Sequence, residues 1–326
     1  MDMLARKRIR FAVIMLILLV CIVFVQIFVA FVLRHPLKNE HVPRKFGATY
    51  MTMDNQYFEL LNSLIEEIVE SNGDRLITRD PANSQLKQNE QIMDMLDMGV
   101  DLIFVNPVDY ESIAPALVAC HERNVPFINI DTTTAGDGYA SSIIMSDNYN
   151  AGVLIAKDLI SKRKSAKIVI LYDKAISSTN LRFQGFLDTI GQSDLQYSIV
   201  YTASGTTLLH ETMVEMQTFL DLGLEFDVVL GCNDPAALGA LAAIQNNHIK
   251  KDVLIYGIDG SPSAKMMVQQ GYMEGTAAQF PSKVAKLAVQ NAYSCLEGTS
   301  VEHKVKIPVQ LITKENVDSY NVMGWQ

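Results

Sequence analysis

Residues 101–131 read DLIFVNPVDYESIAPALVACHERNVPFINID, and this stretch decides the fold. Its opening run, Leu102-Ile103-Phe104-Val105, is apolar at every position. A strand without alternation is buried on both faces, as in a parallel sheet covered by helices. A segment of helical length, Tyr110–Arg123, follows, and then a second apolar run, Pro126–Asp131. Strand, helix and strand in that order make one unit of a parallel α/β sheet.

The same rhythm extends in both directions. Upstream, Phe46–Met51 reads as a strand, and Tyr57, Phe58, Leu61, Leu64, Ile65, Ile68 and Val69 keep helical spacing. Asn72-Gly73 closes that helix with a left-handed cap signal. A strand at Leu76–Thr78 and a helix at Ser84–Met98 lead into the quoted stretch. A second series starts near Asn148, with helices at Tyr149–Ser161, Thr179–Ile190, Leu208–Leu222 and Pro235–Asn246. Its strands are Lys167–Tyr172, Gln196–Thr202, Phe226–Gly231 and Val253–Ile258. The expected fold class is α/β, as two doubly wound parallel-sheet lobes. Ligands of such sheets bind beyond the carboxyl ends of the strands. Those ends carry Asn106, Asp131, Asn233-Asp234 and Asp259. Asp and Asn are also ordinary turn and cap residues there. Asp234, followed by Pro235, is expected to be an N-cap, and Asp147 to cap the helix that begins near Asn148. Asn233 and Asp259 have weaker local explanations.

The chain has 326 residues, 49% hydrophobic and 19% charged, enough for two domains and too apolar for disorder. A net charge of -9 argues against binding a phosphate backbone. The four cysteines, Cys21, Cys120, Cys232 and Cys295, show neither a disulfide framework nor metal spacing. Mean hydropathy is +0.14, which places an apolar segment somewhere in the chain. It lies at Phe11–Leu33, where only Gln26 is polar among 23 residues. As a helix that run measures roughly 34 Å, against a bilayer core of about 30 Å. Arg6, Lys7, Arg8 and Arg10 precede it and favour a cytoplasmic N-terminus. The run is longer than a signal-peptide core and no small-residue cleavage site follows, so an uncleaved anchor is expected. Cys21 follows Val20 inside the run and lacks a lipoprotein context. Residues 34–45 read as a tether to an extracytoplasmic domain.

From Phe46 to about Thr313 the chain resembles the ribose- and galactose-type periplasmic binding proteins. The motifs that carry the resemblance are Asp54-Asn55-Gln56-Tyr57-Phe58, Val105-Asn106-Pro107, Ile130-Asp131 and Ser146-Asp147-Asn148. They continue with Arg182-Phe183-Gln184-Gly185-Phe186, Cys232-Asn233-Asp234-Pro235-Ala236-Ala237-Leu238-Gly239, Gly257-Ile258-Asp259-Gly260 and Ala278-Gln279-Phe280-Pro281. The resemblance implies two lobes joined by three hinge crossings, closing on a small ligand, usually a monosaccharide. It assigns residues 46–146 with 280–309 to one lobe, and 147–279 with 310–326 to the other. It carries polar ligand positions over to Asn55, Asp131, Arg182, Asn233, Asp259 and Gln279, with Tyr57 and Phe58 as stacking aromatics. Carboxylates accept from hydroxyls, the Arg fork donates, and amides do both, which suits a polyhydroxylated ligand. Thr132 stands in the site where ribose binders carry an arginine, and Ile258 where they carry an aromatic. Thr207 falls near a further aromatic position, and Met51 replaces a small polar residue. These departures point to a retuned pocket.

The lactose-repressor family shares these lobes but begins with a DNA-binding helix-turn-helix, where this chain has its apolar run. No nucleophile elbow, phosphate loop, zinc-protease motif or dinucleotide fingerprint is present, so neither an enzyme nor a cofactor is expected. The resulting expectation is the binding component of an ABC-type sugar importer, held at the cell membrane through residues 11–33 beside its permease. The alternative is a sugar sensor read by a membrane histidine kinase of a two-component system.

Overall fold

The computed structural model describes residues 3–34, 42–135, 137–204, 207–249 and 252–326, and divides into units Met1–Val42 and Pro43–Gln326. In the first unit, Met3–Arg34 is a single helix, α1. Its stretch Lys7–Ala30 is apolar and long enough to cross a membrane, and none of it is buried. Most of the expected tether, residues 35–41, lies outside the described residues.

The second unit opens with β1 (Lys45–Thr49), α2 (Gln56–Ser71), β2 (Arg75–Arg79), α3 (Gln85–Asp97) and β3 (Leu102–Val105). It continues with α4 (Ala114–Glu122), β4 (Phe127–Ile130) and β5 (Ser142–Ser146). Then come α5 (Asn148–Lys162), β6 (Ser165–Tyr172), α6 (Ser177–Gly191), β7 (Gln196–Ser204) and α7 (Leu209–Asp221). After them follow β8 (Val228–Gly231), α8 (Asp234–Asn246), β9 (Leu254–Asp259), α9 (Pro262–Gln270) and β10 (Gly275–Ala278). The last elements are α10 (Pro281–Leu296), β11 (Lys304–Ile307) and β12 (Gln310–Thr313).

Two six-stranded sheets result, ordered β11-β5-β4-β3-β1-β2 and β12-β10-β9-β8-β6-β7. All pairings in the first are parallel, and in the second only β12 runs antiparallel, against β10. Strand order reverses beside β1 in one sheet and beside β6 in the other, so each lobe has a ligand-accepting crevice at its carboxyl edge. The chain passes between the sheets after β5, β10 and β11. Each lobe buries apolar residues on both faces of its sheet, as Phe104 and Ile103 do on opposite sides of β3.

Several boundaries differ from those read in the sequence. Residues 142–146 form β5, a strand the sequence reading did not separate from the preceding loop. Its apolar core is only Ile143-Ile144-Met145 between serines, too short to show periodicity. Helix α4 starts at Ala114 instead of Tyr110, because the Asp109 carboxylate accepts from the Glu111 and Ser112 N–H groups and holds a turn there. The N-cap expected at Asp234 is Asn233: its Oδ1 accepts from the Ala236 N–H at 2.9 Å. Asp147 does cap α5, accepting from Asn150.

Gly152 and Gly185 set the spacing of α5 against α6. A Cβ on Gly185 would collide with the Tyr149 carbonyl oxygen, and one on Gly152 with that of Arg182. The two helices therefore touch backbone to backbone, which fixes where α6 presents Arg182.

Candidate functional site

The strand ends of the two sheets face one another, and loops and helix N-termini from both converge there. A cavity of about 30 Å³ is lined by Met51, Asn55, Tyr57, Phe58 and Asp131 from the first lobe. Ile176, Ser178, Thr179, Arg182, Thr207, Asn233, Asp259 and Gln279 line it from the second lobe and the hinge. It shares Asn55, Tyr57 and Asp259 with a cleft of about 360 Å³ that also includes Leu208, His210, Pro235, Ser261 and Trp325. The inner cavity is too small for a sugar ring, so entry of one requires the lobes to part.

Asn55 and Asn233 are held by their capping roles at the starts of α2 and α8, and the Asn233 amide also donates to the Thr207 carbonyl at 3.0 Å. Asp131 follows β4 at φ 70, and Asp259 ends β9 at φ 144. Non-glycine residues held at such angles cost of order 1–3 kcal/mol each, a strain concentrated at functional sites. Asp131 Oδ2 accepts from Asn106 Nδ2 at 3.3 Å, and the carboxyl also interacts with the Tyr57 hydroxyl. Asp259 Oδ1 accepts from Gln279 Nε2 at 2.7 Å. Gln279 sits in the crossing from β10 to α10, so this bond ties a cavity-lining carboxyl to a segment that links the two sheets.

Arg182 is buried on α6. Its Nε donates to Asn148 Oδ1 at 2.8 Å and a terminal nitrogen to the Cys232 carbonyl at 2.7 Å. The guanidinium is thereby fixed in the wall of the cavity that Asp131 and Asp259 also line. Burial pushes the Asp131 and Asp259 carboxyls up, and the charge of Arg182 pulls both back. For Asp259 the neighbouring Asp234 carboxyl adds to the upward push. Burial also raises the Tyr57 phenol.

Gln279 Oε1 is buried without a hydrogen-bond partner, and the buried Tyr57 hydroxyl interacts with the Asp131 carboxyl. A buried polar atom left unpaired costs about 1–3 kcal/mol, and together these atoms offer both a donor and acceptors. Phe58 lines the cavity while packing against Tyr50 and Tyr57 in the first lobe's core.

Eight of the nine expected ligand residues thus meet on one cavity, together with Met51 and Thr207. Thr132 does not line it: its Oγ1 accepts from the Ser178 N–H across the lobes at 3.1 Å. Asp234 is fully buried behind the site, accepting from the Ser261 N–H at 2.7 Å and from Thr276 Oγ1 at 2.6 Å. Ile176, Ser178 and Thr179 were not anticipated. They belong to the turn and first helical residues after β6, which carry no motif, although the reversal of strand order beside β6 marks that loop.

Residues 46–300 match the family described as periplasmic binding protein domain, and the chain belongs to that family. The ribose import binding protein RbsB of Bacillus subtilis is 30% identical over 271 residues, covering 82% of this chain and 87% of the relative. The RbsB protein of Escherichia coli is 28% identical over 267 residues, covering 81% and 88%. Among solved structures, an ABC transporter solute-binding protein from Bacillus halodurans with bound myo-inositol superposes with a TM-score of 0.81. It is 23% identical, and the match covers 88% of this chain and 100% of that one. The fold is that of the type I periplasmic binding proteins.

Proposed function

We propose that this chain is a membrane-anchored extracytoplasmic receptor that closes on one neutral sugar or polyol and delivers it to an ABC-type importer. The observation that carries the reading is the convergence of Asp131, Arg182, Asp259 and Gln279 on one cavity between the two sheets, with Gln279 Oε1 left as a buried unpaired acceptor. Hydroxyls both donate and accept, so a polyol could satisfy these groups together. Tyr57 and Phe58 would cover an apolar ring face. The relatives named for ribose import support the substrate class and the importer role. In this reading residues 46–146 with 280–309 move as one lobe, and 147–279 with 310–326 as the other.

The apolar helix supports anchoring, with the cations that precede it on the cytoplasmic side. It also favours a second reading, a sugar sensor for a membrane histidine kinase, since a spanning helix keeps the receptor beside one fixed partner. Protein extracted from membranes tests both parts of the proposal. Mass spectrometry should recover peptides from residues 11–33 joined to the lobes. A panel of pentoses, hexoses and cyclitols should raise the melting temperature, since ligand at 100 times its Kd adds about 2.7 kcal/mol. Stabilisation by amino acids or nucleobases alone would refute the substrate class. A mature protein beginning after residue 33 would refute the anchor.

A further inference from the structure

The final residues of the sequence run from one lobe to the other beside the ligand cavity. Tyr320 and Val322 pack against the second lobe's core. Lys265 on α9, fully buried, donates from Nζ to the Asn321 carbonyl at 2.7 Å, the Gly324 carbonyl at 2.5 Å and Gln326 Oε1 at 3.1 Å. Three acceptors from one short segment saturate the three ammonium donors, so this buried cation is a pin for that segment. Gln326 Nε2 donates to the backbone carbonyls of Asp259 and Gln279, the carboxylate-bearing strand end and the hinge crossing. Trp325, between these anchors, leaves the second lobe. It packs against the first lobe's core and meets Tyr57 edge to face, with ring centroids 5.9 Å apart.

We propose that residues 321–326 are a strap of the ligand-binding machinery, pinned to one lobe by Lys265 and carrying Trp325 onto Tyr57 of the other. Trp325 is a positioning residue: it orients the Tyr57 ring, which lines the inner cavity, and it forms a wall of the adjoining cleft. The contact spans the lobes, so opening the hinge separates the two rings. Closure around a ligand therefore gains an aromatic contact that the open form lacks, and ligand release has to break it. The proposal rests on the sugar- or polyol-binding reading and adds the element that holds the closed form.

Trp325 is the only tryptophan of the chain, so its emission reports on the strap directly. The test uses the full chain extracted from membranes, with D-ribose and myo-inositol as probes and stopped-flow fluorescence for release. Trp325→Ala should speed probe release roughly tenfold with little change in association, since altered contacts act mainly on dissociation. In the unaltered chain and in both Trp325 variants release is followed with an environment-sensitive dye placed on the surface of α7. Trp325→Phe should restore release to within about twofold of the original, because an edge-to-face pair needs only an aromatic ring. A ligand-free arm compares Lys265→Met, which should shift Trp325 emission to the red and raise its quenching by acrylamide. Unchanged release in Trp325→Ala, or no recovery in Trp325→Phe, overturns the strap. Should the unaltered chain bind neither probe, the sugar reading fails for them, and the emission arm decides the strap alone: unchanged emission in Lys265→Met overturns it.

Discussion

The Thr132 hydroxyl of the first lobe accepts a hydrogen bond from the backbone N–H of Ser178 at the start of α6 in the second, at 3.1 Å. Helix α6 has no side-chain cap of its own, because Ile176 occupies its N-cap position. A helix start leaves its first N–H groups without internal partners, and here the opposite lobe supplies one acceptor. Beside it, Thr133 Oγ1 and Ser177 Oγ lie 2.6 Å apart. Thr132 thus supplies the cap of α6 from the opposite lobe, and in the proposed reading, where opening leaves this N–H to water, it favours closure.

Thr132→Val keeps the shape and removes the acceptor. A lost cap costs about 1 kcal/mol, so ligand affinity should fall roughly fivefold. Calorimetric titration checks this, and the melting temperature without ligand should hardly move. An affinity that does not change would show that the cap does not contribute to closure.

Asp234 and Asn233 should separate in stability. Asp234→Ala leaves the buried Ser261 N–H and Thr276 hydroxyl without their acceptor and should cost about 2–4 kcal/mol. Asn233→Ala removes a helix cap and should cost about 1 kcal/mol. Urea unfolding followed by circular dichroism gives both values, and the reverse order would contradict the assignment.

The buried Asp259 carboxyl makes the ligand-free protein lose stability as pH rises from acid toward neutral and slightly above. Burial, reinforced by the Asp234 carboxyl, pushes the Asp259 carboxyl up to about 8 in the folded chain. An unfolded aspartate loses its proton near pH ~4. Between those values the folded state binds more protons than the unfolded one, so stability falls as pH rises through the window. Melting temperatures measured from pH 5 to pH 8.5 should decline, and Asp259→Asn should flatten the slope. A slope unaltered by that substitution would remove Asp259 as its source.

Much of this site was legible because buried parallel strands advertise themselves. Leu102–Val105 is apolar at every position, and the residues after such runs lie at the cleft whatever their identity. Arg182 was placed only through a motif resemblance, and Gly185 gives that motif a physical reason by admitting the α5 backbone. What sequence could not separate were roles that shift by one residue. In Asn233-Asp234-Pro235 either side-chain oxygen can cap, and only the bond to the Ala236 N–H decides between them. Contacts made across the hinge, such as Thr132 with Ser178 or Tyr57 with Trp325, join residues far apart in the chain and leave no periodic trace.

The central claim is that both lobes close on one sugar or polyol around Arg182, and isothermal titration of the full chain tests it most directly. The account predicts one site for at least one pentose, hexose or cyclitol. It also predicts a loss of about 2–4 kcal/mol in Arg182→Ala, since the ligand then loses a buried charged donor at the cavity wall. The ligand-free circular dichroism spectrum should be unchanged in that variant. An Arg182→Ala chain that binds the same sugar as tightly, or a chain that binds amino acids or nucleobases and no polyol, would contradict it.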